Sequence, residues 1–408
     1  MPSVPVTAPT AARDFRAFWL GQAVSAAGDA FSRVALPLLV LDATGSLVRM
    51  GQLSAVSAGA WLLAGLASGS VVDRVDRRRL LVACDLGQGL AYATVPLAWW
   101  LRGPSLPWLF AVAAVGAALG NLHRAAAGAA VQRLVPRDRL LDANASMHAA
   151  GAVAGCVGPL VAGLACARFG AVTGVAVDAA SFLVAAAATT TIRTALAPDV
   201  AVPTGGLLDD LRVGFRFLRD CAELRAPLAV AAVAALFLAG RDNLVVYHLR
   251  RDLGLGEAAV GATFAAASVG SLVGASIARR LRDRVGFAAS WLGAGAVMGA
   301  ALAGVGAVTS LVAVAALAAV LAACETVRGI NTVTLRQEAT PAHLLGRVTA
   351  VWWAFVELPN TLGAHGSAAL AARHGVPLVL AASGAALLAV VALGAAWWGA
   401  RTPRPALA

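Results

Sequence analysis

Gly69-Ser-Val-Val-Asp73-Arg74-Val-Asp76-Arg77-Arg78-Arg79 ties a charged knot between two long apolar stretches. One such knot returns as Gly274-Ala-Ser-Ile-Ala278-Arg279-Arg280-Leu-Arg282-Asp283-Arg284, its first glycine 205 residues further on (274 − 69). The same offset relates Gln132-x3-Pro136 to Gln337-x3-Pro341, and Ala167-Arg168-Phe169-Gly170 to Ala372-Arg373-His374-Gly375. Three matches at one spacing describe a chain built of two like halves.

The apolar stretches around the knots set the class. Of 408 residues, 60% are hydrophobic and 13% charged, too little charge to cover a soluble protein of this size. Mean hydropathy is +0.78. Segments of roughly 20 apolar residues recur, each enough to cross a ~30 Å hydrocarbon core as a helix. The expected fold is an all-α membrane protein of twelve transmembrane helices in two six-helix, pseudo-symmetric halves. Spans are expected at 16–40, 51–72, 80–101, 106–130, 142–166, 170–192, 227–249, 257–278, 287–306, 311–334, 347–371 and 376–399. This gives an N-terminal bundle over 1–195, a linker over 196–226 and a C-terminal bundle over 227–408. Placing most of the arginines on the cytoplasmic side puts both termini there. Met1–Ala12 has no basic n-region, so a cleaved signal peptide is not expected.

Charge excludes several functions. The net charge of +11 lies in short inter-helix loops, where it sets topology, so nucleic acid is not an expected partner. All 32 basic residues are arginine. Without lysine there is no phosphate-gripping Walker A loop and no pyridoxal Schiff base. No cofactor and no enzymatic activity are expected. The five cysteines form no metal or redox motif, and His123, His148 and His365 have no ligand spacing, so no metal is assigned. In the linker, Leu208, Leu211, Phe215 and Leu218 recur at helical spacing, with Arg212, Arg216 and Arg219 on another face. That pattern predicts a short amphipathic helix on the inner leaflet, so membrane lipids are expected partners. Trp99-Trp100 and Trp397-Trp398 fall near span ends, as interfacial aromatics do.

Gly-x-x-x-Asp-Arg-x-x-Arg-Arg after span two, in a duplicated chain, resembles the cytoplasmic-loop signature of the major facilitator superfamily. Gly158-Pro159-Leu-Val-Ala162-Gly163, preceded by Gly151 and Gly155, resembles its antiporter motif. Gly28-Asp29, and Gln132-Arg-Leu-Val-Pro136 running into Asp142-Ala-Asn144, resemble its macrolide-efflux and enterobactin-exporter branch. The resemblance implies a drug:proton antiporter with a cavity between the halves, lined by spans 1, 4, 7 and 10. It also implies a cytoplasmic gate at Gly69, Asp73, Arg74, Arg77 and Arg78, where the plain alternative is that the arginines only set topology. Asp76 stands where the pattern has a second glycine, and Ala278 where the second copy would have its acid, so the second gate is expected to be weaker. In the antiporter-like motif (Gly155, Gly158, Pro159, Gly163), Pro159 removes a backbone donor and bends or weakens its helix. Ordinary small-residue packing is the alternative there.

Charges inside spans are sharper signals, since each costs roughly 2.5–3.5 kcal/mol at a helix centre. Asp29 and Arg33 stand at i,i+4, Glu325 and Arg328 at i,i+3 with Asn331 one turn on, and Glu357 and Asn360 at i,i+3. Arg241 and Asp242 are adjacent. None is echoed 205 residues away: Asp29 maps to Ala234, and Arg241 to Leu36. Asp29, Glu325 and Glu357 are the candidates for proton or cation coupling, and Arg33, Arg241, Asp242, Arg328, Asn331 and Asn360 for the substrate cavity or counter-charges. Structural ion pairs Asp29–Arg33 and Glu325–Arg328 are the alternative. Asp85 and Asp178 are assigned structural roles.

The expected function is export of hydrophobic or amphipathic small molecules by proton antiport and alternating access. The partners are then a small-molecule substrate, protons and lipid, the chain working as a monomer in a bacterial cytoplasmic membrane. A dedicated siderophore or metabolite exporter, and a transport-inactive sensor or scaffold, are the alternatives.

Overall fold

A computed structural model describes residues 8–399, apart from 73, 104, 137–138, 197–206 and 342–343. The described residues form helices and no strand. The first six are α1 (Ala8–Thr44), α2 (Leu47–Val72), α3 (Arg77–Arg102), α4 (Leu106–Leu134), α5 (Leu140–Phe169) and α6 (Ala171–Thr190). Then come α7 (Leu207–Asp220), α8 (Ala222–Leu238), α9 (Arg241–Tyr247) with a π-turn at His248–Asp252, and α10 (Glu257–Ala307). The last are α11 (Leu311–Ala339), α12 (Leu345–His374) and α13 (Val376–Gly399).

Among the described residues, ten helical stretches are long and apolar enough to cross a membrane. One of them, α10, is two helices end to end: at Gly286 φ is +81° and ψ 171°, which interrupts the helical path. The 30-residue α12 is long enough to cross but is not among the ten. It carries Arg347, Glu357, Asn360, His365 and Arg373, which lower its hydropathy. Counting α10 twice and adding α12 gives the twelve spans expected.

The duplication is written into the backbone. Helix ends recur 205 residues apart at Ser105 and Ser310, Val135 and Thr340, Arg139 and Leu344, and Gly170 and Gly375. Gly170 (φ 84°) and Gly375 (φ 86°) each close one helix by donating to a carbonyl four residues back, then turn at once into the next. Only glycine enters that positive-φ region without strain.

One expected span is not continuous. The seventh was expected as a single helix over 227–249, but α8 stops at Ala239, and Gly240 takes φ +72° before α9 begins. Ser367 Oγ donates to the freed Ala239 carbonyl at 3.0 Å. The corresponding region of α1 runs through without a break.

By packing, the chain forms two units. The first contains 1–45 and 56–207, the second 46–55 and 208–408. Inside the first, small residues let backbones approach, as expected where packing rather than water drives association. A Cβ on Gly28 would lie 1.9 Å from Ser181 Oγ, and one on Gly174 2.8 Å from Ala35 Cβ, so α1 and α6 touch closely. Asp14 ties α1 to the segment that follows α6, accepting from Thr194 N (2.8 Å), Thr194 Oγ1 (2.7 Å) and Arg193 N (2.9 Å). In the second unit α7 packs on α12: Leu218 is buried with Val348, Val351 and Trp352, and Arg347 Nε lies 2.6 Å from Asp210 Oδ1. Much of the apolar face expected to meet lipid therefore meets protein.

Asp76, the departure noted in the first knot, has a local explanation. Its carboxylate caps α3, Oδ1 accepting from Arg79 N at 3.0 Å. Asp76→Ala is expected to cost about 1 kcal/mol, the usual value of an N-cap, read as a lowered Tm in detergent.

Candidate functional site

Within the first unit, a cavity of about 580 Å³ is walled by α1 to α6. On α1 the lining residues are Gln22, Ser25, Ala26, Asp29, Ser32, Arg33 and Leu36, three and four apart, which is one helix face. On α4 they are Ala113, Gly116, Ala117, Gly120, His123, Arg124 and Ala127, again one face. Small side chains on α4 leave the room: a Cβ on Gly116 would lie 2.5 Å from the Tyr92 ring, which meets Phe182 edge-on at 5.6 Å.

Asp29, Arg33 and Arg124 are exposed side chains opening on this cavity. Among the described residues, Asp29 and Arg33 form no ion pair within 4.0 Å, so the structural pairing offered by their spacing is not closed. Asp178 also lines the cavity and is 1% exposed. Its Oδ1 accepts from Ser181 Oγ at 3.3 Å. Gly28 makes this possible, since a Cβ there would stand 2.8 Å from Asp178 Oδ1. The Gly28-Asp29 pair thus does two things: the glycine admits α6, and the acid faces the cavity.

Beside the cavity lies a group that reasoning from sequence set aside. Asp85 on α3 is fully buried, and His123 Nε2 is 3.1 Å from its Oδ1. The same Nε2 is 3.3 Å from Gln22 Nε2 on α1. The signal was present: a lone acid in an apolar helix has to find a partner, and α4 offers a histidine on its polar face.

The second unit holds the other candidates. Glu325 was paired by spacing with Arg328 of its own helix; instead Arg241 Nη2 donates to Glu325 Oε2 at 2.5 Å. Arg241 Nε also reaches Asp242 Oδ1 at 3.4 Å. Arg328, 8% exposed, lies over the Trp291 ring at 4.4 Å, a cation–π contact that takes the place of a carboxylate. Trp291 Nε1 in turn donates to Thr332 Oγ1 at 2.8 Å. Asn331 is buried and satisfied by the Val327 carbonyl of its own helix at 2.9 Å. Glu357 Oε2 accepts from Asn360 Nδ2 at 3.0 Å, as the i,i+3 spacing allows. Glu325 is half exposed, so a double-mutant cycle on Arg241→Ala and Glu325→Ala is expected to give a coupling near 1 kcal/mol or less.

Of the gate candidates, Asp73 lies outside the described residues and Gly69 falls in the last turn of α2. Arg74 is exposed, while Arg77 and Arg78 begin α3, and Arg78 Nη2 donates to the Thr190 carbonyl that ends α6. In the second knot Gly274 lies against α11, a Cβ there falling 2.3 Å from Ala323 O, and Ala278 is 1% exposed. Two of its arginines find other acids: Arg282 Nη2 donates to Glu338 Oε2 at 2.6 Å, and Arg279 Nε lies 3.6 Å from Asp283 Oδ2. In the antiporter-like motif, α5 passes through Pro159 without interruption. Gly158 packs on α1, with a Cβ 2.5 Å from Ala30 Cβ, whereas Gly151 has open space. Gly158, Pro159 and Gly163 are buried and Gly155 is half-buried.

Twelve helical spans in a duplicated chain, with charged groups facing a walled cavity, define a multi-pass membrane transporter of the major facilitator fold. The profile of the transmembrane secretion effector family of that superfamily matches residues 5–398, and the chain belongs to this family. Among curated relatives, the enterobactin exporter EntS of Shigella flexneri is 26% identical over 358 residues, covering 86% of this chain and 83% of that one. The multidrug efflux pump Tap of Mycobacterium tuberculosis is 32% identical over 229 residues, 53% of each chain. A crystal structure of a bacterial homologue of the human lysosomal transporter Spinster superposes with a TM-score of 0.73 at 16% identity, covering 96% of this chain and 97% of that one.

Proposed function

We propose that this chain exports hydrophobic or amphipathic small molecules across the bacterial cytoplasmic membrane in exchange for protons, by alternating access, with both termini in the cytoplasm. The observation that carries the reading is Asp29, an acid exposed on a cavity otherwise walled largely by small, apolar and aromatic side chains. A carboxylate in such a place is neutralised either by a proton or by a cation on the cargo, which makes the two compete and so exchange. Glu325 and Glu357 are assigned the same kind of role in the second unit, with Arg241 and Arg328 as counter-charges. The Gly69–Arg79 knot acts as the stronger cytoplasmic gate, so Asp73→Asn impairs cycling more than any change at Ala278.

A second reading has its own support. Arg33 and Arg124 both open on the cavity, and two guanidiniums suit an anionic aromatic metabolite such as a catecholate siderophore. A relative matched over 86% of this chain is named an enterobactin exporter.

Uptake into inverted membrane vesicles decides these readings. A panel of lipophilic cations and catecholates is offered with and without an imposed pH gradient. Accumulation that follows the gradient is the expected result; accumulation that ignores it removes the antiport mechanism. Preference for catecholates over lipophilic cations selects the second reading.

A further inference from the structure

We propose that the second unit holds one anionic phospholipid in a groove between α8, the second segment of α10 and α13. Its phosphate sits on Arg225 and an acyl chain runs along Val230 and Val233. The site does not depend on the exporter reading.

The groove exists because the two copies of the half fill one contact differently. In the first unit α5 packs on α1 through Gly158, where a Cβ would lie 2.5 Å from Ala30 Cβ and 3.7 Å from the Ala27 oxygen. In the second, a Cβ on Gly363 (158 + 205) would meet Ala239 Cβ at 2.8 Å and the Leu236 oxygen. These matched contacts relate α1 to α8 by 209 residues (239 − 30 and 236 − 27). On that register Val230 stands where α1 has Gly21, and at the 205 offset of Gly170 and Gly375 the counterparts of Ala185 and Ala188 are Val390 and Leu393. A Cβ on Gly21 would lie 3.0 Å from Ala188 Cβ and 3.4 Å from Ala185 Cα, so α1 and α6 close on each other. Three branched side chains replace that contact in the second unit. Val230 Cγ2 would lie 3.1 Å from a Cβ on Gly394, so it holds α13 off, and a space of about 370 Å³ remains.

The walls suit hydrocarbon. Ala226, Ala229, Val230 and Val233 line the groove from one face of α8, with Leu292 and Leu393 across from them. Val233 is 45% and Leu393 71% exposed, so the groove opens outward along its length. From Arg225 to Val233 the helix rises about 12 Å, close to the ~15 Å of hydrocarbon in one leaflet. An acyl chain has that length and that chemistry.

The mouth suits an anionic headgroup. Among the described residues of the lining, Arg225 alone is charged. It stands in the first turn of α8, and Trp397, in the last turn of α13, flanks the same groove as an aromatic side chain at headgroup depth does. Arg225 is exposed, and its Nη1 donates to the Arg219 carbonyl at 3.3 Å. Asp220 feels its charge, but Arg219 already holds that acid at 2.8 Å. Between Arg216 and Arg225 three arginines stand against two acids, Asp220 and Glu223, an excess of one positive charge (3 − 2). A guanidinium so placed favours a lipid of net negative charge over a zwitterion. The first unit supplies a natural control. Arg16 is the counterpart of Arg225 (225 − 209), an exposed arginine at the start of the closed α1–α6 contact.

Native mass spectrometry of the full chain in detergent counts the lipid retained. The probes are phosphatidylglycerol and phosphatidylcholine with identical acyl chains, added at equal excess. One phosphatidylglycerol is expected to stay with each chain, in preference to phosphatidylcholine. Arg225→Gln is expected to lower its retention by about tenfold, as loss of a charge-assisted hydrogen bond does, while Arg16→Gln leaves it unchanged. Ala229→Trp, which fills the groove from an exposed position, is expected to lower retention of both lipids. Equal losses in the two arginine variants overturn the site in favour of general charge attraction. Unchanged retention in Ala229→Trp overturns the groove as the seat of the chain. Displacement of the lipid by glycerol phosphate, a headgroup without chains, overturns it in favour of a simple anion site. If Ala229→Trp does not fold, the contrast between the arginine variants carries the test, and its absence overturns the site. No transport is measured, so failure of the exporter reading leaves each of these outcomes legible.

Discussion

Gly270→Ala is expected to damage this protein more than any other change of one methyl group. A Cβ at Gly270 would stand 2.0 Å from the Ala319 carbonyl oxygen and 2.6 Å from its carbon, both main-chain atoms of α11. Backbone cannot swing aside as a flexible side chain can, so α10 and α11 have to part along their contact. Overpacking of this kind costs about 1–3 kcal/mol, and a contact this short belongs at the upper end. Thermal unfolding in detergent should show a clear drop in Tm, with less protein reaching the membrane. Gly293, on the second segment of α10, has nothing within 4 Å of its added Cβ. Gly293→Ala is therefore expected to be neutral, or stabilising by up to about 1 kcal/mol from helix propensity. Equal effects at the two positions would refute the close-contact account.

Asp29→Asn is expected to abolish most gradient-driven accumulation, by about tenfold or more, while leaving the fold intact. Asp29 has no ion-pair partner within 4.0 Å among the described residues, so its neutral amide orphans no buried cation. It also removes a charge from an apolar span, which favours insertion. What is lost is a site that a proton and a cationic cargo can each neutralise, and each factor of ten corresponds to about 1.4 kcal/mol. Uptake measured beside Tm separates the two effects. A variant that transports normally takes Asp29 out of the mechanism, and one that fails only through a lower Tm makes it a scaffold residue.

Much of the architecture was legible because duplication repeats the residues that end helices. Ser105 and Ser310, or Gly170 and Gly375, stand at one offset in the sequence and take matched positions in the backbone. Side-chain partners were less legible. Spacing of three or four finds neighbours on one helix, and it found Glu357 with Asn360 correctly. It could not find Arg241 for Glu325, because that arginine arrives from α9, or Trp291 for Arg328, because the ring comes from the second segment of α10. Asp85 and His123 escaped for the same reason: they are 38 positions apart (123 − 85) and meet only through helix packing. The break in the seventh span was hidden differently. Gly240 closes an apolar run just before Arg241 and Asp242, where glycine still reads as a packing residue inside a span, and its positive φ is what distinguishes it.

That break separates the two copies of an ancestral half in how they can move. At Gly240 the run from α8 to α9 passes through one left-handed residue, while the equivalent part of α1 is continuous helix. Turning the two torsion angles of Gly240 re-aims Arg241, the next residue, and so draws its guanidinium off Glu325 without unwinding any turn of α8. Such a turn carries α9 with it, so opening the salt bridge also draws Asn243 from the Met50 carbonyl and Ser54 Oγ. The ancestral counterpart of this stretch in α1, lacking a swivel, can change its charges only by moving as a whole rod.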